Sequence, residues 1–255
     1  MKRAKAARFA RAGHLPSGAV PPPAMQQLVL DIRPLPEPTF DGFVAGANAE
    51  LVSRLRCLAA PSAFDAIYLW GPAGSGRSHL LRATAAAAHA RGRSVSFADA
   101  EEIGAELALP PGGLLIVDDV ERLGPTAQIT LFRAFNTARL IGLALLVAGH
   151  APPASLDLRE DLRTRVGGML IYEVKPLSDE EKAEALASHA ASRGMRVEHG
   201  IIDYLLRHGE RDLPSLMAVL DALDRVSLEQ QRPVTLPLLR EALGSIPGLA
   251  SGAAG

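Results

Sequence analysis

The sequence predicts an α/β protein: a P-loop nucleotide-binding core on a parallel sheet, followed by a small all-α domain. Three observations carry this expectation. A glycine-rich loop, Gly71-Pro72-Ala73-Gly74-Ser75-Gly76-Arg77-Ser78, stands between an apolar run and an alanine-rich one. A second apolar run, Leu114-Leu115-Ile116-Val117, ends abruptly in Asp118-Asp119. From Leu177 onward no strand pattern appears and helical spacing takes over. Strands that alternate with helices imply a parallel, doubly wound sheet.

Ala66–Trp70 is a short apolar run of the kind buried on both faces of a parallel sheet, and the segment from His79 to Arg91-Gly92 reads as a helix. Strand, glycine loop and helix stand in the order a phosphate-binding loop requires. The glycines let successive backbone N–H groups turn toward a polyphosphate, the helix offers its positive end, and Ser78 can hold magnesium. Where this motif has lysine, the chain has Arg77. Lysine reaches the phosphates as a compact charge and arginine as a larger planar fork, so binding and turnover are separate questions here.

Ser94 to Ala98 reads as a strand and the segment around Glu101 to Leu107 as a helix. The strand ending in Asp118-Asp119 follows the loop by about forty residues, within the range of a mononucleotide-binding fold. Carboxylates at its C-terminal end fall beside the loop, with Asp118 the metal-side candidate and Asp119 the water-side candidate. Pro125 to Ile141 is a longer helix; Leu143 to Ala148 and Met169 to Val174 are strands. The helical domain joins at Lys175-Pro176 and opens on the capping box Ser178-Asp179-Glu180-Glu181. Its expected helices cover 178–193, 198–208, 212–230 and 235–243.

With 255 residues, 48% hydrophobic and 22% charged, the chain can bury a proper core. A formal net charge of −1 supplies no global basic field for nucleic acid, so any DNA association is expected to be local or borrowed from a partner. The single cysteine, Cys57, precludes an internal disulfide and suits a reducing cytoplasm. No apolar run approaches bilayer length, and no membrane partner is expected.

Residues 1–24 carry Lys2, Arg3, Lys5, Arg8 and Arg11 with no acidic residue, then Pro21-Pro22-Pro23. Disorder is expected there, without the apolar core of a secretory signal, and Met25 is the expected native start. Gln26-Gln27-Leu28-Val29-Leu30-Asp31-Ile32 and the proline-studded stretch to Pro38 form a short apolar motif on a tether, suited to capture by a partner; its alternation equally fits an edge strand. The Gly/Ala/Ser-rich 246–255 reads as a flexible tail.

The order of P-loop, paired-aspartate strand, strand ending Ala148-Gly149-His150, segment Asp161-Leu162-Arg163-Thr164-Arg165 and helical lid resembles the AAA+ core of the DnaA-related family. Within that family, residues 25–245 are similar to the regulatory-inactivator group, Hda. The similarity rests on the N-terminal apolar peptide, on Phe40-x-x-Phe43-x-x-Gly46-x-Asn48, on Trp70 before the loop, on Gly76-Arg77-Ser78-His79-Leu80-Leu81, and on Pro176-Leu177-Ser178-Asp179-Glu180 opening the lid. Arg77 is then a match to the group.

The resemblance implies four parts: a clamp-binding peptide and linker at 25–38, an AAA+ base at 39–175, a lid at 176–245 and the tail. It implies ADP or ATP held by Val44, Asn48, Gly71, Pro72, Ala73, Gly74, Ser75, Gly76, Arg77, Ser78 and His79. Mg2+, where present, falls to Ser78, Asp118 and Asp119. Gln27, Leu28, Leu30 and Ile32 align with the peptide that docks on the DNA polymerase III sliding clamp (beta subunit), and Arg165 with an arginine finger that reaches a nucleotide across a subunit interface.

Two positions depart from the family. Pro214 stands where the second lid sensor is an arginine, with Arg211 three residues away, and Gly149-His150 stands at the first sensor. Both point to weak intrinsic ATPase or none. The implied function is regulation of replication initiation: binding adenine nucleotide and the DNA-loaded clamp, and stimulating ATP hydrolysis by DnaA. DNA is met indirectly through the clamp, self-association stays open, and the expected place is the bacterial cytoplasm at the nucleoid and replisome. The alternative is a DnaA-like initiator or helicase loader acting directly on DNA, against which stands the lack of a basic helix-turn-helix after Leu243. A self-sufficient P-loop kinase is disfavoured by Arg77 and the altered sensors.

Overall fold

The computed structural model describes residues 38–195, 197–198, 200–209, 212–230 and 233–239. The clamp-peptide residues Gln27, Leu28, Leu30 and Ile32, the basic segment 1–24, Arg211 and the tail lie outside the described residues.

After a single 3-10 turn at Gly46–Asn48, the first helix is α1 (Ala49–Leu58), whose Leu51, Leu55 and Leu58 recur at helical spacing and are buried. Then follow β1 (Ala66–Trp70), α2 (Arg77–Ala90), β2 (Val95–Asp99), β3 (Leu114–Asp118), α3 (Pro125–Ile141), β4 (Ala144–Gly149), α4 (Glu160–Gly167) and β5 (Leu170–Glu173). All five predicted strands form, and α1 and α4 are additional to the predicted elements. Every strand pairing is parallel, in the spatial order β2-β3-β4-β1-β5.

The uninterrupted apolar runs follow from this architecture. Leu115, Val117, Leu145 and Val147 pack on one side against Leu131 and Ala134 of α3 and Leu162 and Val166 of α4. Their neighbours Leu114, Ile116, Leu146 and Ala148 pack on the other side against Leu55 and Leu58 of α1 and Leu80 and Leu81 of α2. With helices on both faces, neither set of alternating residues meets water.

One expectation fails. The helix around Glu101 to Leu107 does not form; the chain makes a 3-10 turn at Ala100–Glu102 and runs irregularly to β3. The Thr130 hydroxyl of α3 donates to the Gly104 carbonyl at 2.9 Å, while Ile103 is buried and Leu107 and Leu109 pack on the same cluster. The apolar positions are satisfied without helical geometry, and Gly104, Pro110 and Pro111 oppose it.

Beyond the base, α5 (Asp179–Ser192), α6 (Ile201–His208) and α7 (Leu213–Gln230) close a separate apolar cluster of Leu186, Ile201, Leu205, Leu216, Leu220 and Leu223. The expected capping box is present: Ser178 Oγ accepts from the Glu181 N–H at 3.1 Å and Glu181 Oε2 from the Ser178 N–H at 2.8 Å. Residues 236–239 are helical, and a parallel bridge joins Val197 to Val234, a contact with no counterpart in the helix-only reading.

At the N-terminal ends of the strands sits a buried cation without a carboxylate. Arg93, 3% exposed, donates to Leu58 O at 2.6 Å, Ala60 O at 2.7 Å, Ala63 O at 2.7 Å, Gly113 O at 2.8 Å and Gly112 O at 3.2 Å. One side chain thereby ties the end of α1 to the residues that lead into β1 and β3. Burial holds its pKa below the usual guanidinium value, and the carbonyl cage is what compensates the charge. Replacing Arg93 by Met removes five donated hydrogen bonds in the core; of the carbonyls it bonds, those of Ala60 and Gly113 keep the Ala63 and Ala144 N–H groups as partners. The expected loss is about 3–5 kcal/mol of unfolding free energy, the range for removing one member of a buried charged network. Urea unfolding should show the midpoint fall with an unchanged slope.

Candidate nucleotide-binding site

The loop after β1 is shaped by close approaches. The Val174 N–H donates to Trp70 O at 2.7 Å, drawing the chain that leaves β5 against the loop's first residue. A Cβ on Gly71 would stand 2.5 Å from Val174 O, so only glycine fits there. At the far end Gly76 has φ 96°, and a Cβ on it would meet the Phe43 ring at 2.7 Å. It caps α2 without a side-chain hydrogen bond, which leaves the first-turn N–H groups of that helix facing the loop. Ser75 Oγ and Arg77 Nη1 are buried and have no partner within the chain. Unpaired donors around a glycine loop at a positive helix end fit a phosphate.

On the acidic side, Asp118 is 4% exposed and its Oδ1 accepts from the Asp119 N–H at 3.0 Å. Asp119 is the one non-glycine at positive φ, 47°, among the described residues. Its Oδ1 lies 4.0 Å from Arg77 Nη2 and its Oδ2 3.8 Å from Arg122 Nη1. Burial first, then the neighbouring Asp118 and Glu121, push the Asp119 carboxyl above its ordinary pKa, against the pull of Arg77 and Arg122.

β4 runs between β1 and β3, and its last residue keeps that space open. A Cβ on Gly149 would run into the Tyr68 hydroxyl and lie 2.9 Å from Glu121 Oε2. The fully buried Tyr68 donates to Ala151 O at 2.6 Å, and burial raises its phenol pKa. Glu121 Oε1 accepts the His150 N–H at 3.2 Å and pairs with His150 Nδ1 at 2.8 Å, while Oε2 is buried without a partner. Glu121 and Tyr68 are site residues that the sequence reading missed. The signal for Glu121 was a third carboxylate two residues after the Asp pair.

Between loop and lid opens a cavity of about 650 Å3, a size suited to a small-molecule ligand. Of the expected nucleotide residues, Val44, Asn48, Gly74, Ser75, Gly76, Arg77, Ser78 and His79 line it. Gly71, Pro72 and Ala73 do not, nor do Asp118 and Asp119. From the lid come Lys182, Pro214 and Met217. The His79 ring lies 5.5 Å from that of Phe43, with Nε2 2.9 Å from Thr39 O. Pro214 sits at the second position of α7, where a missing N–H costs nothing, and Asp212 Oδ1 accepts the Ser215 N–H at 2.9 Å.

Asn48 does more than line the cavity. Its Nδ2 donates to Lys175 O at 2.8 Å and its Oδ1 accepts the Lys175 N–H at 2.9 Å, so a buried amide clasps both backbone groups of the residue that leads into the lid.

A nucleoside polyphosphate fits these residues: the loop and the α2 N-terminus would take its phosphates, and Phe43 and Val44 offer apolar surface to a base. Among the described residues no group of three or more His, Cys, Asp or Glu side chains is arranged to hold a metal ion. A magnesium ion would therefore rely on Ser78, an aspartate and the ligand's own oxygens.

Arg165 lies elsewhere. In the last turn of α4 it is exposed, its Nη2 donating to Asn136 Oδ1 at 2.8 Å and its guanidinium 5.8 Å from the Phe132 ring centre. Five residues later, Leu170 pairs with Ile67 near the start of β1, whereas Glu173 pairs with Trp70 at the loop end. Three strand steps span about 10 Å, which places Arg165 toward the end of the sheet opposite its own loop.

Residues 179–243 match the family model described as Hda, lid domain. Among solved structures, domain III of the Thermotoga maritima replication initiation protein DnaA is similar at 18% identity and a TM-score of 0.66, with 83% of this chain and 98% of that one covered. The replication initiator DnaA bound to AMPPCP and single-stranded DNA is similar at 21% identity and a TM-score of 0.60, covering 80% and 68%. A Thermotoga maritima RuvB variant follows at 16% identity and a TM-score of 0.61, covering 81% and 73%. The fold is an AAA+ P-loop base with a helical lid.

The Asn48 clasp is testable directly. Asn48→Ala leaves the Lys175 N–H and C=O unpaired and is expected to lower stability by about 2–4 kcal/mol. Hydrogen exchange should show the Lys175 amide losing protection well before the sheet amides do.

Proposed function

We propose that this chain, with an AAA+ fold and a lid that matches the Hda lid-domain model, is a DnaA-related, nucleotide-bound regulator of replication initiation that drives ATP hydrolysis in DnaA. The observation that carries this reading is the separation of Arg165 from its own loop. An exposed arginine, held by Asn136 and Phe132 on the far end of the sheet, cannot serve the nucleotide of its own chain. Its exposure there supports a reading in which it serves one bound by a neighbour.

In its own site the chain binds and orients. The loop N–H groups, Ser78 and Arg77 hold the phosphates of ADP or ATP; Val44, Asn48 and His79 border the nucleoside. Magnesium, when bound, screens the phosphate charge, with Ser78 and Asp118 or Asp119 as its protein ligands. The lid position that would deliver a second cation is Pro214, which has none to offer, so retention of nucleotide is favoured over turnover.

In the partner, Arg165 stabilises the negative charge that develops on the γ-phosphate as water attacks and ADP leaves. A finger of this type, supplied in trans, is worth about 10³–10⁵ in rate in GTPases. The peptide 25–38 tethers the protein to the sliding clamp, Gln27 by hydrogen bonds and Leu28, Leu30 and Ile32 in an apolar pocket, so that DNA is met through the clamp. Tethering confines the regulator to sites where replication is under way.

Two substitutions separate the parts. Arg165→Ala should return DnaA hydrolysis, measured with clamp-loaded DNA, to its unstimulated rate while leaving clamp binding intact. Gln27→Ala should do the reverse, losing retention on clamp beads while the stimulation recovers at high protein concentration. If Arg165→Ala still stimulates, the finger assignment is wrong. Salt-sensitive binding to DNA in the absence of clamp would favour the direct-acting initiator or loader instead.

A further inference from the structure

In this chain Asp119 is a positioning residue for Arg77, we propose, and so takes part in phosphate binding whether or not a metal is present. The inference rests on the nucleotide reading and reassigns one residue within it.

Four features point to it. Arg77 is 12% exposed at its side chain, one nitrogen standing 4.0 Å from Asp119 Oδ1 and the other, Nη1, buried without a partner in the chain. A planar fork can hold a carboxylate with one arm and present the other to a phosphate; a lysine ammonium, as a single point charge, lacks this two-sided geometry. The backbone at Asp119 is in the left-handed region, which side chains other than Asn and Asp adopt at a cost, and this turn follows directly on β3. An aspartate at this turn is therefore placed where it can meet an arginine of the binding loop.

Three neighbouring carboxylate oxygens are already engaged, while Glu121 Oε2 is buried without a partner. Asp119 Oδ2 faces Arg122 at 3.8 Å, Asp118 Oδ1 holds the Asp119 N–H at 3.0 Å, and Glu121 Oε1 holds His150 at 2.8 Å. Asp119 thus stands between two arginines, in the role of a second carboxylate orienting a cation. The orphan Nη1 is the donor that the arrangement leaves for the ligand.

The test is a double-mutant cycle on ADP binding, read with a fluorescent ADP analogue on the full chain in excess EDTA, so that metal ligation by Asp119 cannot contribute. Asp119→Asn is the variant of choice, because asparagine matches the volume and tolerates the left-handed backbone while removing the charge. It should weaken ADP binding about tenfold in the presence of Arg77 and by less than about twofold in an Arg77→Ala background. Adenosine, which has no phosphates, should bind both forms alike.

Three results overturn the inference alone. Equal weakening in both backgrounds would mean that Asp119 acts independently of Arg77. Weakening that appears only with Mg2+ would make Asp119 a metal ligand, and a parallel loss of adenosine affinity would make it a structural residue. Failure of the unsubstituted protein to bind either ligand under any condition removes the nucleotide reading itself, and with it this one.

Discussion

The site depends on how the chain leaves β5. Val174 and Lys175 are held from two sides at once: Trp70 takes the Val174 N–H at 2.7 Å, and Asn48 takes both backbone groups of Lys175 at 2.8 and 2.9 Å. The first contact presses β5 on the start of the P-loop, close enough that Gly71 can carry no side chain. The second fastens the segment before α1, which supplies Phe43 and Val44 to the cavity, to the same short stretch. Loop, apolar wall and lid therefore share one anchor of a few residues. Lys175, at the entry to the lid, thus has direct hydrogen bonds to a residue that lines the cavity.

The opposite end of the sheet is organised by different means. There the strand starts are gathered by Arg93 on five carbonyls, a buried charge that no acidic residue neutralises. Backbone oxygens carry partial charge and cannot be protonated, so this cage has no ionisable partner to lose. At the other end of the sheet three acidic residues, Asp118, Asp119 and Glu121, crowd together. The crowding is visible in the raised pKa of Asp119, and it is relieved by the arginines at 77 and 122.

Much of this was legible in the sequence, for an identifiable reason. The central strands β1, β3 and β4 are covered on both faces and must be apolar, so they announced themselves as runs such as Leu114–Asp118 and Ala144–Gly149, while the less buried edge strands β2 and β5 were legible from their own short apolar runs. The Ser178 capping box is a local motif and was equally readable. Residues 100–107 misled because Ala100, Ile103 and Leu107 have helical spacing, yet the loop meets the core through Thr130 of a distant helix. The roles of Arg93 and Asn48 were invisible because they are made by pairings across the chain, in the last case over 127 residues. A side chain satisfied by remote backbone leaves no periodic trace. The motif residues themselves divide in the same way: Gly74 to His79 line the cavity as spacing suggests, whereas Pro72 and Ala73 remain outside it.

The two ends of the base also bear differently on function. A parallel sheet gathers its C-terminal strand ends at one edge, where nucleotide chemistry is concentrated, and leaves the other edge to whatever the connecting helices present. Arg165 falls toward that second edge, so on the proposed reading the donating and receiving functions of the fold are physically uncoupled. A change such as proline at 214 can silence the receiving site and leave the donated arginine unaffected, since Asn136 and Phe132, which hold it, belong to α3 and have no contact with the lid cavity. A protein that must act on a neighbour's nucleotide for as long as it keeps its own gains from such separation. On the proposed reading, a bound nucleotide stabilises the shape by mass action, and the chemistry takes place in the neighbour's site.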